Sequence, residues 1–114
     1  MESHSLTVLA TELLSAAKTA SSGRAARTIH GGSDHALRQT LMALTGGSGL
    51  AEHQSPGEAT LQVLVGRVRL TAGCDSWEGS AGDYVHIPPD RHSLDAIDDA
   101  VIVLTVVVTV DGRA

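Results

Sequence analysis

Thr60-Leu61-Gln62-Val63-Leu64-Val65-Gly66-Arg67-Val68-Arg69-Leu70-Thr71-Ala72-Gly73-Cys74-Asp75 is the stretch that decides the architecture. Two short runs rich in Val, Leu and Thr, residues 60–65 and 67–71, flank Gly66, and Gly73 closes the second run. β-branched runs this short, bounded by glycine, read as strands. Gly66 falls where the chain must reverse, and a hairpin turn of positive φ is met at least cost by glycine. Gly73, Gly79 and Gly82 repeat the device. Outward from this stretch the same texture predicts strands at 27–30, 36–44, 50–54, 75–78, 84–87, 93–96 and 101–110. That pattern is an all-β sandwich or barrel.

Before residue 24 the period changes. Leu6, Leu9, Leu13, Leu14 and Ala17 recur at helical spacing. Ser5 is placed to cap the start and Ser21-Ser22-Gly23 to stop the end, which predicts an amphipathic helix from 6 to about 20. The chain therefore divides into a helical segment, 1–23, and a β domain, 24–114. Lys18 is the one basic residue on the helix, too few for a membrane-surface role.

The 114 residues suffice for one domain, and Phe is absent, so the core must be built from aliphatic side chains. Eight Lys and Arg against thirteen Asp and Glu give a net charge of −5, which repels phosphate, and only Trp77 and Tyr84 are available to stack on bases. Nucleic acid is not an expected partner. The longest apolar run, 101–110, is about half a membrane span, so no membrane partner is expected either. Cys74 is alone, no basic leader precedes the helix, and no Asn is present for glycosylation, which together predict a soluble, cytoplasmic protein. Residues 101–110 carry Ile102, Leu104, Val106, Val108 and Val110 on one side and Val101, Val103, Thr105, Val107 and Thr109 on the other, so both faces want cover. Such a strand must be central in its sheet or buried in a subunit contact, and a homodimer is the expected assembly.

Two segments carry the chemistry: Gly49-Leu50-Ala51-Glu52-His53-Gln54-Ser55, continuing to Gly66, and Gly82-Asp83-Tyr84-Val85-His86-Ile87-Pro88-Pro89-Asp90-Arg91-His92. Over residues 36–110 the chain resembles the cupins, the first segment matching their first motif and the second segment their second. The resemblance implies a jelly-roll β-barrel, or double-stranded β-helix, and a transition metal such as Fe, Mn, Ni or Zn held inside on three His and one Glu. The pattern has a physical reason: His-x-His places two imidazoles on one strand face, and a carboxylate and a third imidazole from other strands complete an N/O site. His53 and His92 match two of those ligands. Ser55 stands at the second His position and Ala59 at that of the Glu, seven residues before Gly66. Two imidazoles alone hold a divalent ion weakly, so no cofactor is expected.

The polar residues expected in the barrel are His53, Ser55, Gln62, His86 and His92, with Glu58 and Asp95 as further nearby donors. By strand alternation, Gln62 is out of phase with Ala59 and His86 with Val85, so these candidates cannot all point inward unless a bulge intervenes. Arg67 and Arg69 share a strand face and are expected to pair with acids. Ser55, His53 and Asp95 do not form a hydrolytic triad, since no Gly-x-Ser-x-Gly elbow is present. The function expected is non-catalytic binding or sensing of a small molecule inside the barrel. The alternative is a metal-dependent oxygenase or isomerase using His53 and His92 with two unconventional ligands.

Overall fold

The computed structural model describes residues 1–55 and 57–109. Helix α1, Leu6–Thr19, starts where the Ser5 side chain accepts a hydrogen bond from the Val8 N–H at 3.3 Å, as the capping residue predicts. Nine strands follow among the described residues: β1 Arg24–His30, β2 Leu37–Leu44, β3 Gly49–His53, β4 Glu58–Val65, β5 Arg67–Ala72, β6 Asp75–Ser80, β7 Tyr84–His86, β8 His92–Ala96 and β9 Ala100–Val107. Each corresponds to a strand read from the sequence, with ends shifted by a few residues. Val110, assigned to the last strand, lies outside the described residues.

The strands form two antiparallel sheets, β1-β2-β9-β4-β7 and β3-β8-β5-β6. From β2 onward the chain changes sheet at every connection except the β5–β6 hairpin, and strands distant in sequence become neighbours. This is a jelly roll with one N-terminal helix. Leu44, Leu61, Val63, Val68, Leu70, Leu94 and Ile102 fill the space between the sheets. A second apolar layer lies on the outside of the larger sheet, where Leu9, Ala10 and Ala17 of α1 pack on Leu41, Ala43, Val101 and Val103.

β9 is central, between β2 and β4. Its inward residues Ala100 and Ile102 join the inner core, and its outward residues Val101 and Val103 lie under α1. Cover for both faces of residues 100–103 thus comes from within the chain.

Two glycines act differently from the sequence reading. Gly66, at φ 77, does not close a hairpin: β4 pairs with β7 and β9, whereas β5 pairs with β6 and β8. It turns the chain from one sheet to the other, with its Cα against the backbone of Asp99. Gly79 lies within β6 without positive φ, and its missing side chain makes room for the Trp77 ring. Gly73, at φ 60, does turn the β5–β6 hairpin, where Ala72 pairs with Asp75. Gly82, at φ 95, sits in a tight turn in which Asp83 accepts the Ser80 N–H at 2.8 Å.

On the outer face of the smaller sheet, Glu78 receives Arg69 at 2.6 Å and Arg67 at 3.3 Å. The Arg69 hydrogen bond, opposed by desolvation and aided by the charges of Arg69 and Arg67, holds the Glu78 carboxyl below its ordinary 4.5. A lowered carboxyl pKa stabilises the fold above the unfolded value and stops doing so as pH falls through the folded one. Glu78→Gln is therefore expected to lower the urea midpoint at neutral pH and to flatten its decline below pH 4.5. Gly66→Ala should cost at least about 1 kcal/mol in the same unfolding measurement, since Ala resists positive φ and its methyl meets the Asp99 carbonyl.

Candidate functional site

His53 ends β3 and His92 begins β8, and the two residues are direct cross-strand partners. Residues opposite one another on antiparallel strands share a face, and the ring centroids stand 4.6 Å apart in an edge-to-face arrangement with 63° between planes. The imidazoles therefore converge on the barrel interior, but as neighbours on one wall rather than from opposite sides of it. The β3–β8 register shifts between Leu50 and His53.

Each ring is oriented by its own strand. His53 Nδ1 lies 2.8 Å from the Ala51 carbonyl oxygen, and His92 Nδ1 lies 2.9 Å from that of Asp90. A carbonyl oxygen only accepts, so both Nδ1 atoms carry the hydrogen, and in the neutral ring Nε2 is left with a lone pair. His92 is only 2% exposed, while His53 lies open at the rim. No buried side-chain nitrogen or oxygen lacks a partner among the described residues. The His92 Nε2, which makes no hydrogen bond there, is therefore the atom that keeps contact with open space.

That space is a cavity of about 90 Å³. Leu50, His53, Ser55, Leu70, His92 and Leu94 contribute from the smaller sheet and the loop after β3, and Ala59, Leu61, Leu104 and Val106 from the larger, with Ile87 beside them. Ala59 and Val106 are paired across β4 and β9. The small side chains at 55 and 59 leave room in front of the two rings. The lining contains no carboxylate, ammonium or guanidinium group.

Gln62 and His86 do not join it. Gln62 is exposed on β4 between the inward Leu61 and Val63, and His86 is exposed opposite Thr60 on the same outer face. Strand alternation sends both away from the interior, and no bulge in β7 or in the 58–63 register reverses it. His86 instead meets Tyr84, ring to ring at 5.6 Å, above a broad outer depression that Glu58 also lines. Asp95 is exposed on the outward side of β8.

A rim contact escaped the sequence reading. Arg91 Nε donates to Glu52 Oε1 at 3.0 Å, and Arg91 Nη2 reaches the Glu52 carbonyl at 3.4 Å. Gln54 Nε2 donates to the Pro89 carbonyl at 3.2 Å, joining the loops after β3 and β7. The signal was available: opposite charges immediately precede the two histidines, at Glu52-His53 and Arg91-His92.

No protein-family model and no curated protein matches the sequence. Solved structures do match. A conserved protein of unknown function from Streptococcus pyogenes superposes with a TM-score of 0.70 at 24% identity, over 79% of this chain and 78% of that one. A cupin superfamily protein from Desulfitobacterium hafniense gives 0.69 at 13% identity over 75% and 78%. An RmlC-like cupin from Shewanella frigidimarina gives 0.68 at 15% identity over 82% and 83%. The chain has the cupin fold, as its two motifs led one to expect.

The fold raises the question of a metal ion, and the donors do not fit one. Two imidazole nitrogens and the Ser55 hydroxyl line the cavity, and the methyl of Ala59 stands where the resemblance expects a carboxylate. Among the described residues no group of three or more His, Cys, Asp or Glu is arranged to hold an ion. A firm transition-metal site takes at least three protein ligands. The tautomer assignment has a direct check: ring nitrogen shifts of 15N-labelled protein above pH 8 should show protonated Nδ1 at both His53 and His92, with unprotonated Nε2.

Proposed function

We propose that this cupin-fold chain is a metal-free, non-catalytic module that binds or senses a small organic molecule between its sheets, beside His53 and His92. What supports the reading is the makeup of the cavity: an aliphatic enclosure whose polar edges are two imidazoles and one hydroxyl. A mostly apolar concavity with a few convergent polar groups is the usual form of a small-ligand site. Binding needs nothing more, whereas catalysis needs an oriented acid, base or ion. The Nδ1 atoms are held by backbone carbonyls, so no carboxylate backs either ring as a base. The metal-dependent alternative would draw two further ligands from Glu58, Gln62, His86 or Asp95, all of them exposed on outward positions.

Elemental analysis of untagged protein is expected to find Fe, Mn, Ni and Zn well below one equivalent, and a chelator should leave the thermal midpoint unchanged. One equivalent of metal that disappears in His53→Ala would overturn the metal-free reading. A fragment screen followed by amide NMR should give shifts that cluster at Ala59, Leu61 and Leu94. Shifts found only outside the cavity would overturn the binding reading.

A further inference from the structure

We infer that the ligand of this cavity is a small neutral molecule that donates a hydrogen bond, such as a short primary alcohol or a primary amide. The inference rests on the cavity being the binding site and adds the chemical class it selects. Three observations on the lining carry it.

The first is polarity. Both Nδ1 hydrogens are already given to backbone carbonyls, so each neutral ring offers its partner only the Nε2 lone pair. Among the described residues Ser55 is the one cavity side chain able both to donate and to accept. A ligand that brings only an acceptor leaves the lone pair of the buried His92 without a partner, and an unpaired buried acceptor is costly. A ligand with an O–H or N–H satisfies one or both.

The second is charge. Among the described residues no Lys, Arg, Asp or Glu lines the cavity, and the nearest guanidinium in sequence, Arg91, is held on the rim by Glu52. While both rings are neutral, a carboxylate or an ammonium ion entering the space between the sheets sheds water without gaining an opposite charge, and such transfers are strongly unfavourable. The site therefore selects against ions of either sign.

The third is size. A cavity of about 150 Å³ is known to accommodate benzene. The space here is about 90 Å³ and open at the His53 rim, so the part of a ligand that it takes in is an aliphatic group of a few heavy atoms. Ser55 and Ala59 set that limit from two sides.

Amide NMR titrations of the full chain with 1-propanol, propionamide, 2-butanone, propionate and propylammonium separate these requirements. 1-Propanol and propionamide are expected to shift Ala59, Leu61 and Leu94 saturably, with the other three at least tenfold weaker. His53→Leu, at an exposed position where folding is not at stake, should weaken propionamide about three- to tenfold, the loss of one hydrogen bond. If 2-butanone equals 1-propanol, or His53→Leu binds propionamide as the parent does, the donor requirement is overturned while cavity binding stands. If propionate or propylammonium binds best, the requirement for neutrality is overturned. If none of the five shifts the cavity amides, the inference and the binding reading fall together.

Discussion

Ala100–Val107 has no polar face to show to water along its first half, and the layers of the molecule are arranged to hide both sides. Ala100 and Ile102 point into the space between the sheets, and Val101 and Val103 point outward beneath α1. Burying a Val or Ile side chain contributes roughly 1.5–3 kcal/mol, so leaving either face wet would forfeit several such contributions at once. The helix is the outer layer that prevents it. Further along the strand the outward positions change character: Thr105 is paired with Gln39 on one side and Thr60 on the other, and Gln39 donates to its hydroxyl at 3.3 Å. Here, beyond the helix, the outer face carries polar side chains at Gln39, Thr60 and Thr105.

The inward row of the same strand continues as Leu104 and Val106, and these form part of the cavity wall. Packing fails to close here because two neighbours are small. Ala59 sits opposite Val106, and Ser55 lies two residues past His53, the last residue of β3. Protein interiors ordinarily fill such space, so an opening beside two oriented imidazoles is a departure with a chemical face. Its electrostatics differ from those of the outer surface, where Arg67 and Arg69 share Glu78 and Arg91 holds Glu52. Charges that stay hydrated are left on the outside, and the interior presents lone pairs and methyl groups.

Much of this was legible in one dimension. The helix and all nine strands were visible because each carries its own local signal, whether capping serine, apolar period or glycine boundary. Gln62 and His86 were expected among the polar residues of the barrel, but strand parity, which set them out of phase with Ala59 and Val85, was the better guide, and both are exposed. Gly66 was recognised as a turn, but its partners were not, because a residue's positive φ says nothing about which sheet the next strand will enter. Gly79 resembled another turn, yet its role depends on where the Trp77 ring lies.

The local alternation of apolar and polar residues, together with glycine and the capping serine, determined the element types, their order and which side chains of each strand share a face, since those depend only on neighbours along the chain. Pairing between distant strands was decided by the tertiary structure alone. It set β3 beside β8 so that His53 and His92 became adjacent on one wall, put α1 over the first half of β9, and left the space between Ser55 and Ala59 open. Proximity of residues far apart in sequence is a property of the packed sheets, and no local pattern encodes it.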